Sequence, residues 1–168
     1  MMTIQQDYKL ACLFILFAGF IDRYDGRVAR YLNVSSDLGK QLDSLADLVS
    51  FGVAPSILVC YIYNFTSLGI IGYLLVTIFP IAGAYRLARY NSTTFNDVFM
   101  GVPITAAGSF LAFYSLIYLS YNKPNTVSFN SGSGLVLGLL LLLSYLMISK
   151  FKIKKVWFYL SHLYLYVF

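Results

Sequence analysis

Apolar residues along this chain fall in long unbroken runs, separated by short polar stretches. A membrane-spanning helix needs about 20 residues. The first run, 10–21, is too short alone, so its helix is expected to continue through 22–30. That places the carboxylates of 22–30 near a membrane boundary, facing protein rather than lipid. The polar string Asn33-Val-Ser-Ser-Asp37 reads as a turn into a second helix. Ser35 or Ser36 can cap that helix, and Asp37 suits the positive end of its dipole. The second helix is expected over about 37–62, kinked at Pro55. A polar loop at 64–67 leads to a third span over about 67–89 with Pro80 inside it. A loop at 91–97, a fourth span over about 100–121, a loop at 122–133 and a fifth span over about 134–149 follow. Residues 151–155 are basic and 156–168 form an aromatic tail.

Composition supports the membrane reading. Hydrophobic residues make up 59 % of the chain and charged ones 11 %, with a mean hydropathy of +0.72. A water-soluble domain carries about 25 % charged residues. The expected fold is all-α, a polytopic transmembrane bundle of about five spans plus a short C-terminal segment. One transmembrane domain covers 1–155 and the tail covers 156–168. A transmembrane barrel is excluded, because its strands alternate polar and apolar positions over about ten residues. The aromatic side chains are expected mostly at lipid-facing and interfacial positions.

The placement of charge says more than the net +5. With the acidic segment on the cytoplasmic side, ten of the twelve Lys and Arg residues fall on that side, and only Lys9 and Lys123 fall outside. That asymmetry follows the positive-inside rule and argues against nucleic-acid binding. The active face is therefore expected in the cytoplasm, at a prokaryotic inner or plasma membrane. Lys9 on the outer side suggests a further helix upstream, and the start shows no signal-peptide pattern. Cys12 and Cys60 lie in apolar runs and read as small buried hydrophobes. Two cysteines and His162 make no zinc site and no disulfide framework.

The chemistry concentrates in 22–47. Asp22, Asp25, Asp43 and Asp47 are four of the chain's seven acidic residues and recur at helical spacing. Asp22 and Asp25 lie about 60° apart around a helix, and Asp43 and Asp47 about 40° apart. Each pair shares a face, and two helices joined by a short turn can bring all four to one cavity. Close carboxylates repel one another, and a hard divalent cation such as Mg2+, Mn2+ or Ca2+ cancels that repulsion. Two such ions form a clamp for displacement at phosphorus. Gly26, Ala29 and Gly39 leave room for a ligand beside the backbone, and Arg30 can face a phosphate. Simple pairing of the acids with Arg23, Arg27 and Arg30 leaves those small residues unexplained.

The string Asp22-x-x-Asp25-Gly26-x-x-Ala29-Arg30-x8-Gly39-x3-Asp43-x3-Asp47 resembles the signature of the CDP-alcohol phosphatidyltransferases. The stretches 42–55, Arg86-Leu-Ala-Arg89-Tyr-Asn91 and Gly101-Val-Pro103 resemble the phosphatidylserine synthase branch of that family. The resemblance covers about 8–155. It implies an integral-membrane enzyme that moves a phosphatidyl group from CDP-diacylglycerol to L-serine and releases CMP. It implies Asp22, Asp25, Asp43 and Asp47 as metal ligands, with Asp47 also the general base. Gly26, Ala29, Arg30 and Gly39 would line the CDP-lipid pocket. Arg86 and Arg89, and more weakly Lys40 and Asn91, are acceptor-site candidates, because serine brings a carboxylate. The cofactor would be a divalent cation, Mg2+ or Mn2+, with Ca2+ possible. The resemblance also implies a homodimer and one more helix ahead of the motif helix. Ser44 and Ser50 read as helix serines bonding their own backbone and are left out. The alternatives are glycerol 3-phosphate or inositol phosphate as acceptor, or a non-enzymatic divalent-cation carrier.

Overall fold

The computed structural model describes residues 7–31, 37–92, 99–121, 131–149 and 152–153. The elements are α1 (Tyr8–Tyr31), α2 (Asp37–Asp47), a π-helical segment (Leu48–Val53), α3 (Ala54–Ile62), a 3-10 turn (Phe65–Leu68), α4 (Ile70–Ser92), α5 (Ile104–Tyr121) and α6 (Ser131–Ile148). A two-residue antiparallel pairing joins β1 (Phe99–Met100) to β2 (Lys152–Ile153). The expected helical bundle is present. The capping serines of 33–36, the turn at 122–130 and the tail 156–168 lie outside the described residues.

Three described helices, Leu38–Ile62, Ile70–Ser92 and Ile104–Tyr121, are long and apolar enough to cross a membrane. The α6 apolar stretch is shorter, and α1 carries Asp22, Arg23 and Asp25 in its second half. The chain is an integral membrane protein on this evidence. Large side chains such as Phe14, Phe17, Leu45, Ile70 and Tyr145 are exposed around the bundle, as expected where lipid replaces water. Not every aromatic faces outward: Phe51, Tyr63, Phe65 and Phe79 are buried in the core. Cys12 and Cys60 are buried free thiols, as the apolar runs suggested.

The chain does not break at Pro55. It widens ahead of it, and the Ala54 N–H reaches the Val49 carbonyl five residues back. A proline in a helix has no N–H to give and its ring crowds the carbonyl four residues earlier, here that of Phe51. The widened turn accommodates that mismatch, as π segments do inside α-helices. Ser56 Oγ then donates to the Gly52 carbonyl at 2.8 Å. The bundle closes around this segment. Helix α1 runs along α5, α4 runs along α6, and both α4 and α5 pack on the π segment. Ile104 of α5 fills the space between Gly52 and Gly83, where a β-carbon on Gly83 would overlap it.

Candidate active site

Helix α1 meets the second helix through the π segment and α3. The close approach is set at Gly19, where an added β-carbon would lie 3.4 Å from the Phe51 ring and 3.0 Å from Ser109 Oγ. At the Phe51 backbone, α5 comes so near that a β-carbon on Gly108 would overlap the Phe51 carbonyl. Phe51, 2 % exposed, thus meets one glycine at its ring and another at its backbone. Asp47 stands one turn before Phe51, and Asp22 one turn after Gly19. The side chains of Asp22 and Asp47 come within hydrogen-bonding reach, and the Asp43 charge lies near enough to act on Asp47. Two carboxylates this close require a proton or a cation between them.

Helix α4 contributes the cation. Gly83 lets α4 settle against Ile104 and Leu48, and Arg86 follows one turn later. Arg86 is 7 % exposed, its Nε has no hydrogen-bond partner among the described residues, and its charge acts on Asp47. An arginine that merely anchors a span extends its guanidinium to water; this one is turned into the bundle, where Tyr90, Arg89 and Asp47 act on its charge.

The remaining candidates are distributed as follows. Asp22 and Asp47 are half-buried, and Gly39, Lys40 and Asp43 are exposed on α2. Asp25, Gly26, Ala29 and Arg30 lie on the α1 helical backbone, and their side chains are outside the described residues. Arg89 Nη1 donates to the Ile148 carbonyl at the end of α6 at 3.1 Å, and its guanidinium stands 6.0 Å from the Tyr85 ring. Asn91 Nδ2 donates to Ser44 Oγ at 3.1 Å, and Ser44 Oγ donates to the Lys40 carbonyl at 3.0 Å. Arg86 and Asn91 therefore engage α2, and Arg89 engages the end of α6. Sequence reasoning passed over Gly19, Phe51, Gly83 and Gly108, which bring the helices close enough for the acids to meet. Only the shape of the opposing helices marks them.

Among the described residues, no group of three His, Cys, Asp or Glu side chains is gathered closely enough to hold a metal ion. The pair Asp22–Asp47, with Asp43 beside it, nevertheless offers an all-oxygen donor set of the kind hard divalent ions take.

A sequence model described as CDP-alcohol phosphatidyltransferase matches residues 1–149. The chain belongs to the CDP-alcohol phosphatidyltransferase family. Within it, the chain is 41 % identical over 148 residues to a CDP-diacylglycerol–serine O-phosphatidyltransferase of Helicobacter pylori, covering 86 % of this chain and 60 % of the relative. It is 41 % identical over 143 residues to the Bacillus subtilis protein of the same name, covering 84 % and 73 %. A Saccharomyces cerevisiae protein of that name is 47 % identical over 83 residues, 49 % of this chain and 29 % of the relative. The chain thus spans about three-fifths of the length of the Helicobacter relative.

Proposed function

We propose that this family member transfers the phosphatidyl group of CDP-diacylglycerol to L-serine, giving phosphatidylserine and CMP. The observation that carries the reading is the meeting of Asp47 with Asp22 across two helices, with the buried Arg86 of a third acting on Asp47. The names of the bacterial and yeast relatives support the same acceptor. Asp22, Asp25, Asp43 and Asp47 would hold a divalent cation, Mg2+ or Mn2+, with Ca2+ also compatible with oxygen ligands. When bound, the cation neutralises phosphate charge and stabilises the attacking and leaving oxygens.

The chain's own groups supply the rest. Arg86 presents a guanidinium to the serine carboxylate, for which its planar donor fork is suited. That brings the serine hydroxyl toward the acids. Asp47 accepts the hydroxyl proton as the serine oxygen bonds to the lipid-linked phosphorus and the bond to the CMP oxygen breaks. Gly26, Ala29, Arg30 and Gly39 line the path of the cytidine diphosphate. Positioning and charge neutralisation account for most of the rate in such transfers. The site opens to the cytoplasm of a prokaryotic inner or plasma membrane, on the side where the lysines and arginines gather.

The test is transfer of labelled serine to lipid by the purified full chain in detergent. Transfer that depends on CDP-diacylglycerol and a divalent ion, with release of CMP, supports the reading. Reaction with glycerol 3-phosphate or inositol phosphate in place of serine overturns the acceptor. Cation flux in vesicles without transfer to any acceptor overturns the enzyme.

A further inference from the structure

Helix α2 carries Asp43 and Asp47, yet most of it projects from the bundle. Leu38, Leu42 and Leu45 are all more than half exposed, and the polar positions Gly39, Lys40, Gln41 and Asp43 are exposed as well. It runs without a break into the π segment, which the neighbouring helices pack against in its place. A helix so loosely held does not fix the direction of its carboxylates by packing alone. Among the described side chains, Ser44 and Asp47 are its half-buried polar positions, three apart and so on one face. On that face Ser44 Oγ is held at both ends. It donates to the Lys40 carbonyl one turn back and accepts from Asn91 Nδ2 at the end of α4.

We infer that Asn91 is a positioning residue: through Ser44 it holds the outlying part of α2 against α4 and so keeps the aim of Asp43 and Asp47 at the shared cation site. The Ser44 hydroxyl has one hydrogen to donate, and it is spent on Lys40; the remaining lone pairs receive the Asn91 N–H. Asn91 sits five residues beyond Arg86 on the same helix, so one α4 segment supplies the buried cation and also ties down the opposing acids. Outer groups that orient metal-binding side chains have large effects on ion affinity. The inference rests on the transferase reading above and deepens it: Asn91 serves the cation site and leaves serine binding alone.

The experiment titrates Mn2+ against the detergent-solubilised full chain, with free ion read by electron paramagnetic resonance, and measures the KM for serine in parallel. Asn91→Ala and Ser44→Ala should each weaken Mn2+ binding roughly three- to tenfold, the loss expected of one hydrogen bond acting at a distance. The double variant should be no worse than either single one. Ser44→Thr keeps the hydroxyl and should bind Mn2+ as the unaltered chain does. The serine KM should stay constant throughout. A raised serine KM in Asn91→Ala with Mn2+ binding intact overturns the inference and makes Asn91 an acceptor contact. Additive losses in the double variant overturn it too. Failure of the unaltered chain to bind Mn2+ at all brings down the cation reading itself, and this inference with it.

Discussion

Asp47 gathers more of the site than any other described residue. It lies against Asp22 and feels both Asp43 and Arg86. Replacing it with Asn preserves shape and removes the proton acceptor. Asp47→Asn should lower kcat by about 10²–10⁴-fold, the usual worth of a general base, while a fluorescent CDP-lipid still binds. Arg86 separates from Arg89 at the same scale. Sequence position makes them equivalent, but Arg86 is buried and acts on Asp47, whereas Arg89 donates to the carbonyl that ends α6. Arg86→Ala should raise the serine KM roughly ten- to a hundredfold, the loss expected for charged hydrogen bonds to a carboxylate. Arg89→Ala should act mainly on stability, lowering the thermal midpoint in detergent. If the two variants behave alike in serine KM, the division of labour fails.

Between elements, the controlling feature is close approach. Gly19 lets α1 reach the Phe51 ring, Gly108 lets α5 reach its backbone, and Gly83 admits Ile104. Small residues serve in the same way throughout membrane bundles, where helices gain little from burying apolar surface and must pack backbone to backbone. A β-carbon at Gly108 meets the Phe51 backbone, which cannot swing aside as a side chain would. Gly108→Ala should therefore destabilise the protein by about 1–3 kcal/mol. Gly134→Ala, on an α6 position with open space around it, should leave the thermal midpoint unchanged or slightly raised. The contrast is read by thermal unfolding in detergent, followed by intrinsic tryptophan and tyrosine fluorescence. Helix positions and the turn after α3 were legible from the spacing of apolar runs, because each span must satisfy its own backbone hydrogen bonds within lipid. The π segment was not. Pro55 announced a disturbance, but a kink and a widened turn answer the same missing N–H, and the packing of Phe51 between α1 and α5 goes with the second.

For the whole molecule, orientation in the membrane joins the charge pattern to the chemistry. Ser67 lies in the turn between α3 and α4, and Ser92 ends α4 beside Asn91; both are exposed. In intact cells a membrane-impermeant maleimide should label Ser67→Cys, and should reach Ser92→Cys only after the membrane is opened. The native Cys12 and Cys60 are buried and should stay unlabelled in either condition. The reverse pattern would place the acids outside the cell and remove their access to a cytoplasmic nucleotide lipid.

By itself the sequence determined the helical periodicity, the membrane class and the pairing of acids on shared faces, since each depends only on residues a few positions apart on one helix. Family membership was legible for the same reason: its signature is a run of fixed local spacings. The meeting of Asp22 with Asp47, the burial of Arg86 within reach of the Asp47 charge, and the separate engagements of Arg89 and Asn91 were decided by tertiary structure. Those depend on which helix stands opposite and how near it comes, and that distance is set by glycines on helices far apart in the chain.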